Sequence, residues 1–176
     1  MTKSGNSTII GACGEHHVAA YLSGHGLVVA LPRAGIPSSD LFVANVRGGP
    51  TVKIQVKTGT KSTKNVRDFG PIYLWATSYS VIARSDANLW YAYVWLNDWP
   101  NENNHPEVFF VPSKVVIDCM KECQENGDTW PYFWFRADEA DKYRFRNGLK
   151  PLLKVLKSSV AQSPKRIRMK KETGVR

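Results

Sequence analysis

Residues 51–58 read T-V-K-I-Q-V-K-T, an unbroken alternation of polar and apolar or β-branched side chains. A period of two puts Val52, Ile54, Val56 and Thr58 on one face of a strand and Lys53, Gln55 and Lys57 on the other. A helix would mix the two sets, so this segment forms a strand with one face on a core and one on a cleft or solvent. At 176 residues, the chain is expected to form a single domain over 1–163, large enough to bury its own core. A hydrophobic fraction of 43% with 22% charged residues excludes a disordered chain. No apolar run approaches the roughly 20 residues of a membrane span, and residues 1–14 lack the build of a signal peptide.

The neighbours of this strand follow from local signals. Residues 27–31 and 40–46 are short β-rich runs, and Arg47-Gly48-Gly49-Pro50 suits a tight antiparallel turn into 52–58. Upstream, 7–23 read as a helix that Ser7 can cap and Gly24 can end in a left-handed turn. Residues 59–72 are polar and rich in Gly and Lys, which predicts a mobile basic loop, and 73–85 give no clear assignment. Strands are predicted at 89–97 and 107–111, a helix over 113–125, a short strand at 132–136 and a last helix over 139–157. The order indicates an α/β architecture, a sheet flanked by helices.

Charge is unevenly placed. Of a net +9, residues 164–176 carry +5 and are expected to form a disordered basic tail. Residues 41–67 carry Arg47, Lys53, Lys57, Lys61, Lys64 and Arg67 with no acid, a further +6, and the rest of the chain sums to −2. A basic stretch inside the fold suits a polyanionic partner.

Two acids upstream of this stretch bear on its chemistry. Glu15, on the first helix, shares a face with Gly11, Ala12, Val18, Ala19 and Leu22, the small apolar side expected to pack on the sheet. A carboxylate there is costly unless a cation meets it, although it can also lie at the margin and reach water. Asp40 opens the second strand, where an Asp is often no more than a turn residue.

The series Gly14-Glu15, then Asp40-Leu41, then Ile54-Gln55-Val56-Lys57-Thr58 resembles the PD-(D/E)XK nuclease superfamily, which includes Holliday-junction resolvases and restriction enzymes. The resemblance extends over most of residues 8–156, with downstream blocks at 91–96, 106–113 and 143–153. It implies a restriction-endonuclease-like α-β-β-β-α-β core with a mixed central sheet flanked by helices. Two positions depart from the pattern: Ser39 stands for the Pro of the motif, and Gln55 for the acid of the (D/E)-x-K pair. Gln-x-Lys sites occur in branches resembling modified-DNA restriction endonucleases.

The function implied is metal-dependent hydrolysis of DNA phosphodiesters, with RNA as a further possible substrate. Mg²⁺, or Mn²⁺ in its place, prefers hard oxygen ligands. The resemblance assigns those to Asp40, the Gln55 side-chain carbonyl, the Val56 backbone carbonyl and Glu15. Lys57 is expected to orient or deprotonate the attacking water, or to neutralise charge in the transition state. Losing the acid at position 55 argues for one weakly held metal. Arg47, Lys53, Lys61, Lys64 and Arg67 would contact the phosphate backbone, which positions nucleic acid without reading its sequence. A homodimer would be needed to cut both strands. The alternatives are a nuclease-fold binding module whose catalysis lapsed at Gln55, and a protein–protein adaptor that uses the aromatic strands.

Other signals carry less. Three Cys form no even framework, which suits a reducing cytoplasm, and Cys119 and Cys123 lack the two-residue gap of a zinc knuckle. Six Trp, seven Tyr and seven Phe gather in several strands and are expected to form core or a dimer face rather than a base-stacking surface.

Overall fold

A computed structural model describes residues 3–32, 39–67 and 70–157; the basic tail predicted at 164–176 lies outside them. The elements run α1 (Lys3–Gly24), β1 (Leu27–Ala30), β2 (Leu41–Asn45), β3 (Val52–Gly59), β4 (Thr63–Val66), β5 (Gly70–Ala76), β6 (Leu89–Trp95), β7 (Glu107–Pro112), α2 (Ser113–Glu125), β8 (Tyr132–Arg136) and α3 (Phe145–Lys157). Short 3₁₀ turns occupy Tyr79–Ala83 and Ala137–Lys142. Two sheets form, one of five strands in the order β1-β2-β3-β6-β7 and one of three in the order β4-β5-β8. The five-stranded sheet is mixed: β3 and β6 run parallel, and its other neighbours are antiparallel.

The alternation in β3 sorts its side chains as the period requires. Val52, Ile54 and Val56 are buried, while Lys53, Gln55 and Lys57 lie on the opposite face with partial exposure. The turn at residues 47–50 joins β2 to β3 in the expected hairpin, with Leu41 opposite Ile54 and Val43 opposite Val52. Gly48 and Gly49 supply its positive φ values of 81° and 121°.

Each face of the larger sheet has its own core. On one face, Leu41, Ile54, Val56, Ala92 and Phe110 meet Val18 and Leu22 of α1 and Leu149, Leu152 and Leu156 of α3. The three α3 leucines are fully buried at spacings of three and four, each contributing about 1.5–3 kcal/mol. On the other face, Tyr91, Tyr93 and Phe109 pack against Val116 and Met120 of α2 and against Tyr73, Trp75, Phe133 and Phe135 of the smaller sheet. Many of the aromatic residues are therefore core.

Four local expectations are corrected. The helix predicted over 7–23 begins earlier, so Ser7 lies inside α1, and the left-handed residue after it is Gly26 (φ 77°) rather than Gly24. The loop predicted over 59–72 is largely the β4–β5 hairpin, because Thr63–Val66 pairs with Gly70–Tyr73 and β5 in turn with β8. The connection from β3 to its parallel neighbour β6 is made by this hairpin and the turn Tyr79–Ala83, where the α-β-β-β-α-β order would place a helix. The helix predicted over 139–157 is broken because Tyr143 carbonyl accepts from Phe110 N–H at 2.8 Å and Arg144 bridges Phe109, which holds the chain against β7 before α3 begins. Among the described residues, no helix is long and apolar enough to cross a membrane.

Candidate active site

Asp40 lies just before β2, with its N–H already bonded to Ile54 carbonyl at 2.9 Å. That backbone bond seats it beside β3 where the β2 ladder runs out. The Val56 N–H at that point has no strand partner on the β2 side, and Oδ2 of Asp40 accepts from it at 2.7 Å. The same oxygen accepts from Nε2 of Gln55 at 2.8 Å. A buried backbone donor is costly to leave unpaired, so this geometry fixes the carboxylate firmly. Gln55 donates its NH₂ to Asp40, which leaves its carbonyl oxygen on the other side of the amide.

Glu15 joins them from α1. Its carboxyl is pushed above the ordinary 4.5 by burial first and by the charge of Asp40 second, with the adjacent His16 opposing. The two carboxylates thus repel one another through a partly desolvated gap. Among the described residues no ion pair of Glu15 with a Lys or Arg relieves this. The face of α1 that packs on the sheet is centred on Gly14, Val18 and Leu22, so Glu15 stands at its margin instead of within it. Gly14 determines how near it comes: a Cβ there would overlap the Thr58 hydroxyl, so only glycine lets the helix lie this close to β3.

Lys57 lies two residues beyond Gln55 on the same face of β3. The two line a cavity of about 280 Å³ together with Ser78, Ser80, Arg84 and Tyr91. Ser78, Ser80 and Arg84 were not singled out from the sequence. They belong to the stretch that gives no clear period, and only the parallel pairing of β3 with β6, Gln55 opposite Tyr91, brings that stretch over the site.

The predicted phosphate-contacting residues divide. Lys61 and Lys64 line a hollow of about 540 Å³ that begins at Lys57. Arg67 is exposed beyond β4. Lys53 instead pairs with Asp86 at 3.1 Å, an acid from outside the acid-free stretch whose own carboxyl is held low by the Asn88 N–H and by this lysine. Arg47 sits in the β2–β3 turn, at the opposite end of that ladder from Asp40. Cys119 and Cys123 both aim their sulfurs at Tyr132 carbonyl, at 4.0 and 3.8 Å, and tie α2 to β8.

A divalent cation suits the donor set. Two mutually repelling carboxylates and an amide carbonyl are hard oxygen donors, and a cation among them would offset the burial and the repulsion from Asp40 that raise Glu15. Among the described residues no three His, Cys, Asp or Glu side chains converge, so neutral oxygens would have to complete the shell.

No family model matches the chain, and no curated protein matches it in sequence. Its fold is similar to the solved structure of a bacterial homing endonuclease, I-Ssp6803I, with a TM-score of 0.56 and 15% identity over 89% of this chain and 99% of that one. The chain therefore has a nuclease-like α/β fold, with a mixed five-stranded sheet flanked by helices.

Proposed function

We propose that this protein is a metal-dependent endonuclease that hydrolyses DNA phosphodiesters at the Asp40–Gln55–Lys57 strands. The observation that carries this reading is Asp40 held on β3 by the Val56 N–H and by Gln55, with Glu15 near enough to feel its charge and Lys57 sharing a cavity with Gln55. The likeness to a homing endonuclease supports the DNA-cleaving class.

Asp40, Glu15 and the Gln55 and Val56 carbonyls would hold Mg²⁺, which when bound supplies charge relief on the scissile phosphate and a more acidic water. Asp40 is held in place by the Val56 N–H, so its second oxygen, Oδ1, is oriented before any ligand arrives. Gln55 contributes orientation and no charge. Lys57, in the cavity beside it, positions the attacking water and offsets the charge that builds on the phosphate. Arg84 lines the same cavity and can bind a non-bridging phosphate oxygen.

Nicking of supercoiled plasmid in Mg²⁺ or Mn²⁺ tests the reading. Wild type should nick, and Asp40→Asn and Lys57→Ala should each lose about a hundredfold or more in rate. Variants that cleave as fast as wild type would remove the assignment. The bond between Gln55 and Asp40 favours one further reading, a binding module in which the amide has replaced a ligand with an internal contact. Under that reading wild type binds DNA but nicks nothing, and Gln55→Glu gains cleavage.

A further inference from the structure

Beyond the site itself, the smaller sheet has an outer face that the proposed chemistry leaves unused. Strand alternation turns Phe133 and Phe135 of β8 inward and Tyr132, Trp134 and Arg136 outward. Trp130, just ahead of the strand, is 77% exposed, and Tyr132 and Trp134 are 40% and 37% exposed. Leu74 lies opposite Trp134 and Lys64 opposite Ile72, so a cation stands across the sheet from the rings.

This face is continuous with the catalytic cavity. The hollow of about 540 Å³ starts at Lys57 and passes Lys61 to reach Lys64, Leu74 and Tyr132. Those last three residues also open a second hollow, of about 270 Å³, which extends to Trp130 and Trp134. Every charged residue lining the first hollow is a lysine, and the second adds one acid, Asp128, at its far side. Three lysines in a row followed by exposed rings match a strand whose phosphates are followed by bases.

We propose that this groove binds a single-stranded segment of the DNA substrate, its phosphates along Lys57, Lys61 and Lys64 and its bases against Trp130, Tyr132 and Trp134. Ring faces can take a base only where that base is unstacked, because in a duplex both faces of each base are already covered. The inference rests on the nuclease reading and narrows its substrate class to DNA with an unpaired strand beside the cut, such as a flap, a branch or a displaced strand. A second copy of this chain is the competing occupant of so aromatic a face. It is disfavoured by charge, since a two-fold contact here would bring the basic grooves of both copies together and desolvate their lysines.

Full-length protein in EDTA, titrated into a labelled single-stranded oligonucleotide and into a blunt duplex of the same length, tests the proposal by anisotropy and tryptophan quenching. Wild type should bind the single strand with quenching. Trp130→Ala, and Trp130→Ala with Trp134→Ala, should weaken that binding about tenfold or more while changing duplex binding less than twofold. Trp130→Phe should retain most of the affinity. Trp130 is exposed enough that the single variant keeps the fold, which far-ultraviolet circular dichroism checks. Equal loss on both ligands, or no loss on either, overturns the proposal. So does a wild-type dimer in sedimentation that the double variant dissociates, which assigns the face to a second copy. Plasmid cleavage separates the two readings. Wild type that cleaves while its Trp variants bind single strands normally removes the groove alone. Selective loss of single-strand binding in a protein that cleaves nothing upholds the groove and removes the nuclease.

Discussion

Nε2 of Gln55 and Oδ2 of Asp40 lie 2.8 Å apart, and the same carboxylate oxygen takes the Val56 N–H at 2.7 Å. In this arrangement position 55 neutralises nothing and repels nothing; it holds the carboxylate by donating to it. A glutamate at that position would reverse the relationship, because two anionic oxygens at hydrogen-bond distance need a proton or a cation between them.

Gln55→Glu therefore becomes conditionally stable. Without divalent ions the variant should lose about 1–2 kcal/mol at pH 8 and recover much of it at pH 5, where the shared proton returns. Added Mg²⁺ should raise its thermal midpoint by more than it raises that of wild type, since a ligand that binds only the folded state stabilises it by mass action. Thermal unfolding across a Mg²⁺ titration at both pH values reads this directly. Equal midpoint shifts for the two proteins would show that position 55 does not face the cation.

Glu15 sets a pH dependence of its own. Its folded-state pKa is raised above 4.5, so between 4.5 and that raised value the folded protein holds more protons than the unfolded chain. Its contribution to stability is then greatest below pH 4.5 and falls as pH rises through the folded value. Affinity for the proposed metal would run the other way, since the cation would need the carboxylate ionised. Glu15→Gln should flatten this part of the stability profile and weaken Mg²⁺ binding most at neutral pH and above. Thermal unfolding from pH 4 to pH 8 checks the first sign, and calorimetric titration with Mg²⁺ from pH 5 to pH 8 checks the second.

Gly14→Ala should act on the site through the fold. The added methyl would meet the hydroxyl, Cβ and Cγ2 of Thr58 together, so rotating that side chain cannot clear it. Overpacking of this kind costs about 1–3 kcal/mol, and it lifts α1 and with it Glu15. Denaturant unfolding should show the loss. Thr58→Ala in the same chain should restore part of it, while Gly11→Ala, where a Cβ meets nothing, should be neutral or slightly stabilising.

Lys61 and Lys64 should account for much of the salt dependence of DNA binding. For single-stranded DNA, the form proposed for their groove, each phosphate contact contributes about 0.7 to the slope of log affinity against log salt. Replacing both by Ala should lower that slope by about 1–2, whereas Arg47→Ala, at the remote end of the β2–β3 ladder, should leave it nearly unchanged. Binding isotherms at several salt concentrations decide this. A larger change from Arg47 would place the DNA on the other end of the sheet.

What could be read from the sequence was whatever a single strand or helix dictates by itself. The alternation in 51–58 placed Gln55 and Lys57 on one face without any tertiary information, and the helix predicted over 113–125 matches α2. The β4 strand could not be read in this way. Its residues T-K-N-V are mostly exposed, and they are extended only because β5 pairs alongside. Arg84 and Ser80 reach the cavity through the chain crossing between two parallel strands, a relation that no local window contains. The same limit applies to Lys53, whose partner Asp86 is distant in sequence. Of the two places expected for the aromatic residues, core or a dimer face, exposure excludes the core for Trp130, Tyr132 and Trp134; hydrophobicity does not tell which side of a strand faces the solvent when both sides are aromatic.

The smaller sheet is assembled from β4 and β5 and, far along the chain, from β8, with two strands of the larger sheet and a helix between them. Pairing across such a separation carries a loop-closure cost that must be met before the contact is rewarded, which slows folding. A chain emerging from the ribosome can close the β2–β3 hairpin, and with it the Asp40–Gln55 contact, well before Tyr132 exists to join β5. The site is thus built early from local contacts, and the groove beside it late from distant ones. Fragments ending before β8 would leave Tyr73 and Trp75 without their Phe133 and Phe135 partners, and a chaperone would find that aromatic surface during synthesis.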